Sequence, residues 1–123
     1  MTTTVLIVDD SRVSRMMLQT YAKETQPDWH YLEAASGDEA LRVAEAQTID
    51  LAIMDVNMPG MSGLDAAALL RERQPAATIV VLTANVQQST RTKASELGLH
   101  FVEKPITPDS ATRILALLGE RDA

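Results

Sequence analysis

The stretch Leu51-Ala52-Ile53-Met54-Asp55 decides the fold: four apolar side chains follow one another, and a carboxylate comes next. A strand that is apolar at every position must be covered on both faces, as a central strand of a parallel sheet is. The runs 5–8 and 79–82 share this composition. Segment 30–34 is more mixed, which indicates a strand nearer an edge, and 99–102 is the fifth strand candidate.

Longer segments with helical features separate these runs. We expect five helices: about 12–25 after a Ser11 cap, from Ser36 to about Gln47, from Ser62 or Gly63 to before Pro75, about Gln87 to Leu97 with Gly98 beyond its end, and Pro108 to about Gly119. Short strands that alternate with helices are typical of βαβ units. Five such units with right-handed crossovers predict a doubly wound α/β sandwich with helices on both faces.

Composition indicates one acidic domain. A chain of 123 residues suffices for one hydrophobic core, so we expect a single domain over 1–123 with its core at about 4–118. The net charge of −6 argues against a non-specific nucleic-acid binder, and the absence of cysteine excludes disulfides and thiolate metal sites. No basic segment precedes the first apolar run, so we expect neither a signal peptide nor a membrane span, and a cytoplasmic location.

Polar residues follow the strand candidates, where parallel strands present their carboxyl ends to ligands. They are Asp9, Asp10, Asp55, Thr83 and Lys104. Three neighbouring carboxylates repel one another unless a cation joins them, and a ligand set made only of oxygen suits Mg²⁺ or Mn²⁺. A carboxylate can also accept a phosphoryl group, whose charge the cation, Lys104 and Thr83 would stabilise.

Each of these residues also has an ordinary explanation. Asp9 or Asp10 alone would be a turn former or a helix cap, although the pair beside Asp55 favours a metal site. Thr83 alone is an unremarkable strand end, and Lys104 alone a surface lysine.

Taken in order, the motifs resemble the receiver domain of bacterial two-component response regulators, of the CheY-like, single-domain type. The resemblance covers about Thr4 to Leu118. The matching segments are Val8-Asp9-Asp10-Ser11, Asp55-Val56-Asn57-Met58-Pro59-Gly60-Met61-Ser62-Gly63, Leu82-Thr83-Ala84 and Lys104-Pro105. It implies a flavodoxin-like (βα)5 fold with a five-stranded parallel sheet in the order 2-1-3-4-5.

The resemblance also implies roles for the acidic residues. Asp55 would accept a phosphoryl group from a histidine kinase or a histidine phosphotransfer protein. Asp10 would bind Mg²⁺ directly, Asp9 mainly through water, and Asn57 through its backbone carbonyl. The protein would then catalyse only its own phosphorylation and dephosphorylation, and would not be an enzyme for a separate substrate.

Further roles follow from the same resemblance. Thr83 would hydrogen-bond the phosphoryl group, Lys104 would pair with it, and the peptide before Pro105 would be cis. Phe101 occupies the aromatic switch position, where many relatives carry Tyr, although simple core packing explains it equally well. The side chains of Asn57 and Asn85 lie where family members tune dephosphorylation.

Two protein contacts are expected. The first helix carries more apolar residues than one buried stripe needs, and they are Val13, Met16, Met17, Leu18 and Tyr21. By resemblance this helix would dock the phosphodonor, with Val13 or Met16 in contact. The phosphorylated protein would bind a downstream protein target, and neither DNA nor a membrane, through the face formed by the fourth helix, fifth strand and fifth helix. The protein would be a monomer or a phosphorylation-dependent homodimer, although a domain cut from a longer regulator would read the same.

Two other classes stay open at this point. A phosphatase of the haloacid dehalogenase type also uses an aspartyl nucleophile, but it carries a second Asp two residues later, where this chain has Asn57. Its nucleophile also follows the first strand and not the third. A receiver that binds its partner without phosphorylation is disfavoured by the complete acidic set and Lys104.

Overall fold

The fold alternates five strands with five helices. The computed structural model describes residues 2–84, 87–104 and 106–120, without the side chains of the last two. The strands and helices are β1 (Thr4–Val8), α1 (Arg12–Thr25), β2 (His30–Ala34), α2 (Gly37–Ala46), β3 (Leu51–Asp55), α3 (Gly63–Arg73), β4 (Thr78–Thr83), α4 (Gln88–Glu96), β5 (His100–Glu103) and α5 (Pro108–Glu120). These elements confirm the expected ones, with ends shifted by about one residue.

The strands form one parallel sheet in the order β2-β1-β3-β4-β5. The three runs that are apolar throughout are the three inner strands, and the mixed strand β2 is at an edge, as expected. Because the chain reverses its direction of winding beside β1, the carboxyl ends of β1 and β3 flank a crevice where ligands bind in such sheets.

Two apolar layers cover the sheet. On one face, α2, α3 and α4 pack over inward side chains of the inner strands, with Leu70 fully buried among them. On the other face, α1 and α5 contribute Leu18 and Ile114 to a second cluster. Successive side chains of a strand pack into opposite layers: Met54 of β3 belongs to the first cluster and Ile53 to the second. A sandwich of this kind fixes the register of every inner strand.

Serine side chains begin three of the helices. Ser11, Ser36 and Ser62 each accept a hydrogen bond from the backbone N–H three residues later, which satisfies a donor that the first helical turn leaves free. Gly98 follows α4 with a φ of +72°, the left-handed conformation expected of a residue just beyond a helix. These caps confirm the helix boundaries predicted from sequence.

Hydrogen bonds of the sheet continue past the strand ends and place the first residues of the loops. Asp9 N–H donates to the Ala34 carbonyl at 3.1 Å, and Lys104 N–H donates to the Thr83 carbonyl at 2.9 Å. The backbones of Asp9 and Lys104 are therefore held by hydrogen bonds that continue those of the sheet.

Gly63, the first residue of α3, is in close contact with the end of β3. Its N–H donates to the Val56 carbonyl at 3.0 Å. A Cβ at this position would overlap the Asp55 carbonyl and lie 2.8 Å from Val56 Cα. Glycine is thus required here by space, and not by its φ angle.

Gly63→Ala should therefore lower the free energy of unfolding by about 3 kcal/mol, because a buried backbone must move to admit the methyl group. Urea denaturation monitored by circular dichroism measures the change. Gly60→Ala is the matched control, since Gly60 has a φ of +78° but open space around it. It should cost only about 1 kcal/mol from backbone strain, and equal losses for the two variants would contradict the steric argument.

Candidate functional site

Three carboxylates meet at the carboxyl edge of the sheet. Oxygen atoms of Asp9, Asp10 and Asp55 all lie within 4.8 Å of one another. Asp9 and Asp55 are each only 5% exposed, while Asp10 is exposed. The sequence predicted this convergence from the strand ends. Hard oxygen ligands in a partly open cluster are suited to a divalent cation such as Mg²⁺, so this acidic site fits a metal.

Lys104 reaches into the same site from the end of β5. Its Nζ lies 3.3 Å from Asp9 Oδ2 and 3.4 Å from Asp55 Oδ1, so one ammonium bridges two nearly buried carboxylates. Burial lowers the pKa of Lys104, but Asp9 and then Asp55 outweigh this effect and raise the pKa above its ordinary value. The lysine is charged at neutral pH and points into the site, as expected.

The charge of Asp55 is unfavourable in the folded protein. Burial raises its pKa above the ordinary value of 3.8, Lys104 opposes the rise, and the neighbouring Asp9 adds to it. A hydrogen bond from the Asn57 backbone also lowers the pKa, which places Asn57 beside the Asp55 carboxylate. The carboxylate of Asp55 is therefore under-neutralised by the protein alone, and a cation would relieve it.

Asp9 is held more firmly than the sequence indicated. Ser11 N–H donates to Asp9 Oδ1 at 2.8 Å, and Arg15 Nη1 donates to the Asp9 backbone carbonyl at 2.6 Å. Arg15 also pairs with Glu33 of β2 at 3.1 Å. Sequence reasoning missed Arg15, because nothing in the spacing along α1 shows that its side chain turns back toward β1.

The predicted switch residues lie on β4 and β5. Thr83 ends β4 and is 1% exposed, in register with Glu103. Phe101 is half-buried and packs against the core, and the guanidinium of Arg91 lies 5.1 Å from its ring centre, within range of a cation–π contact. Phe101 therefore packs in the core, as one of its two expected roles requires, and its switch role stays a prediction. Pro105, with its predicted cis bond, and Asn85 lie outside the described residues.

The outward side of α1 is apolar next to this site. Val13, Met16 and Met17 are 65%, 55% and 42% exposed, and Leu18 is buried, as the excess of apolar positions predicted. A cavity of about 380 Å³ beside α1 is lined by Met17 and reaches Asp9 and Lys104. We call the three exposed residues the α1 patch. Within the described part of the chain, no helix has the length and apolar character needed to cross a membrane.

The fold and site define a class: a doubly wound α/β domain with an acidic, lysine-bearing crevice at its carboxyl edge. Residues 5–116 match the family model of the response regulator receiver domain. The chain belongs to this family, and the fold and family expected from the motifs are confirmed. It is therefore a receiver domain of the two-component systems, a class that takes phosphoryl groups from histidine kinases.

Solved structures agree. The chemotaxis protein CheY4 of Vibrio cholerae superposes with a TM-score of 0.86 at 27% identity, covering 96% of this chain and 99% of that one. A CheY-like receiver domain protein from Methanospirillum hungatei reaches a TM-score of 0.90 at 21% identity, over 99% of this chain and 98% of the other, which supports the fold alone.

Curated relatives are longer proteins. The autoinducer 1 sensor kinase/phosphatase LuxN of Vibrio harveyi is 36% identical over 91% of this chain and 13% of its own length. The transcriptional regulatory protein ResD of Bacillus subtilis is 32% identical over 94% of this chain and 48% of its own length. The chain thus spans half or less of the length of these relatives.

Asp55→Asn should raise the free energy of unfolding near neutral pH, because it removes a buried charge whose pKa is raised in the folded state. The gain should be greatest above that raised pKa and should shrink as pH falls toward 3.8, where the unfolded Asp55 also becomes protonated. Urea denaturation across this pH range, without divalent cations, measures the gain.

Asp65→Asn is the control for this experiment. Asp65 lies in the first turn of α3, is exposed and contacts Lys93 at 3.9 Å, so losing its charge should give no stabilisation. A loss of stability in Asp55→Asn at neutral pH would show that the pairing with Lys104 outweighs burial and repulsion.

Proposed function

We propose that this domain is a phospho-accepting receiver, in which Asp55 takes a phosphoryl group from a phosphohistidine donor with Mg²⁺ bound. One observation carries the proposal: the Asp55 carboxylate lies 3.4 Å from the Lys104 ammonium and within 4.8 Å of two other carboxylates. A nucleophile, a fixed cation and a ligand set for a second cation are thereby combined in one crevice.

The transfer step follows from these positions. An Asp55 oxygen forms a bond to phosphorus while the bond from phosphorus to the donor's imidazole nitrogen breaks, and the imidazole leaves with the electron pair. Lys104 stabilises the charge on the equatorial phosphoryl oxygens, and the Thr83 hydroxyl would donate a hydrogen bond to one of them. Asp9, Asp10, Asp55 and the Asn57 carbonyl would hold Mg²⁺, and the bound cation would supply positive charge beside the transferred group.

The switch is proposed for the sheet edge formed by β4 and β5. Thr83 is buried at the end of β4, and Phe101 lies half-buried on the next strand with Arg91 above its ring. A movement of Thr83 toward the phosphoryl group would vacate space for the Phe101 ring, and a two-state element of this kind would alter the surface of α4, β5 and α5. That surface would bind a downstream protein, and neither DNA nor a membrane.

Other proposals concern the setting of the protein. The domain would act as no enzyme on separate substrates, since its only chemistry is gain and loss of its own phosphoryl group. It would work in the cytoplasm, as a monomer or as a homodimer that forms on phosphorylation.

Incubation with acetyl phosphate and Mg²⁺ should add about one phosphoryl group to the protein, as measured by intact mass. Asp55→Asn should abolish the adduct, because its amide is not a nucleophile. Asp65→Asn, which alters an exposed aspartate on α3, should be labelled like the wild type. Lack of an adduct on the folded wild type would indicate a receiver that binds its partner without phosphorylation.

The α1 patch is proposed to dock the phosphodonor, because it is apolar, exposed and borders the cavity that reaches Asp9 and Lys104. Met16→Glu or Val13→Glu should slow transfer from a phosphorylated histidine phosphotransfer domain about tenfold or more, since a charge would be buried against an apolar partner. Labelling by acetyl phosphate, which needs no docking, should not change.

Ala46→Glu adds the same charge to an exposed position at the end of α2 and is the matched control. It should leave both rates unchanged. Equal transfer rates for Met16→Glu, Val13→Glu and Ala46→Glu would exclude the α1 patch as the donor surface.

A further inference from the structure

Asp9 differs from Asp10 in how completely it is held. Each polar atom of Asp9 has a partner: its N–H donates to Ala34, its carbonyl accepts from Arg15, Oδ1 accepts from Ser11 and Oδ2 accepts from Lys104. Asp10 is exposed, and within the described residues no side-chain hydrogen bond holds its carboxylate. The position of the Asp10 carboxylate therefore depends on its backbone.

That backbone is fixed by a side chain from α1. The carbonyl that accepts from Arg15 at 2.6 Å belongs to the peptide group that joins Asp9 to Asp10. Because a peptide group is planar, holding its oxygen also fixes the nitrogen and Cα of Asp10. A hydrogen bond from a charged guanidinium is stronger and shorter than one between neutral groups.

Arg15 is itself oriented by a second contact. Its Nε donates to Glu33 Oε1 at 3.1 Å, while Nη1 serves the Asp9 carbonyl. Only 15% of the Arg15 side chain is exposed, compared with 41% for Glu33. The planar fork of arginine is what allows one side chain to connect β2 with the β1–α1 loop, whereas a lysine ammonium offers a single point of attachment.

We propose that Arg15 is a positioning residue of the acidic site, which holds the peptide between Asp9 and Asp10 and thereby places the Asp10 carboxylate for a divalent cation. The inference rests on the proposed function, since it concerns the same metal site. Groups that orient metal ligands from outside the coordination sphere commonly change metal affinity by about 10–100-fold when removed.

The competing explanations predict different results. If Arg15 acted only through its charge, its removal would make the site more negative and strengthen cation binding. If Arg15 only tied α1 to β2, its removal would lower stability and leave cation affinity unchanged. A positioning role predicts weaker cation binding by a protein that is still folded.

The experiment measures Mg²⁺ affinity by titration calorimetry on the full chain, alongside urea denaturation. Arg15→Met should weaken Mg²⁺ binding about 10–100-fold, and Arg15→Lys, which keeps one donor, should fall between Arg15→Met and the wild type. In acetyl phosphate labelling, Arg15→Met should need more Mg²⁺ for half-saturation but reach nearly the wild-type rate at saturating Mg²⁺.

Arg73→Met is the matched control, because Arg73 also pairs with a glutamate at 3.1 Å, between α3 and α2. It should leave Mg²⁺ affinity unchanged. Unchanged or stronger Mg²⁺ binding in folded Arg15→Met would overturn the inference, and so would an equal loss in Arg73→Met. If Arg15→Met does not fold, wild-type affinity in Arg15→Lys overturns it. If the wild type binds no Mg²⁺, the proposed function fails instead.

Discussion

The crowding of negative charge at one edge of the sheet is the constraint on which the site depends. Two nearly buried carboxylates face each other there, and the protein supplies one ammonium, from Lys104, between them. Burial first, and then the charge of Asp9, raise the pKa of Asp55 despite the nearby Lys104 ammonium, so the cluster is under-neutralised. The same imbalance that costs stability without a cation favours cation binding and the arrival of a phosphoryl group with its metal.

Sequence predicted the fold well because its decisive signals are local. A continuous apolar run of four residues bounded by polar residues favours a strand that is covered on both faces, and the order of runs and helices then leaves few topologies. Helix starts were predictable from Ser11, Ser36 and Ser62, because the capping hydrogen bond of each serine reaches only three residues along the chain. The residues of the site could also be predicted from the sequence, since parallel strands bring their carboxyl ends together whatever the details of packing.

The parts that sequence could not predict depend on where long side chains turn. In the sequence, Arg15 looks like any other residue of a helix. The structure shows that its side chain contacts both the Asp9 carbonyl and Glu33. Arg91 likewise reads as a solvated charge of α4, yet it lies over the ring of Phe101. Such contacts join residues that are distant in sequence, and long side chains can reach them in several conformations. No periodicity in the sequence therefore predicts them.

These contacts connect the two halves of the site to different parts of the fold. Arg15 ties the Asp9–Asp10 peptide to edge strand β2, while the ladder bond from Lys104 to Thr83 ties the ammonium to β4 at the other side. The Lys104 ammonium connects the two halves of the site, because it pairs with both Asp9 and Asp55. A phosphoryl group on Asp55 would replace the carboxylate charge of that residue and compete with Asp9 for the Lys104 ammonium. Lys104 directly follows β5, whereas Asp9 is held by Ser11 and Arg15. Under the proposed function, a shift of Lys104 would therefore act on β5 before it acted on the β1–α1 loop.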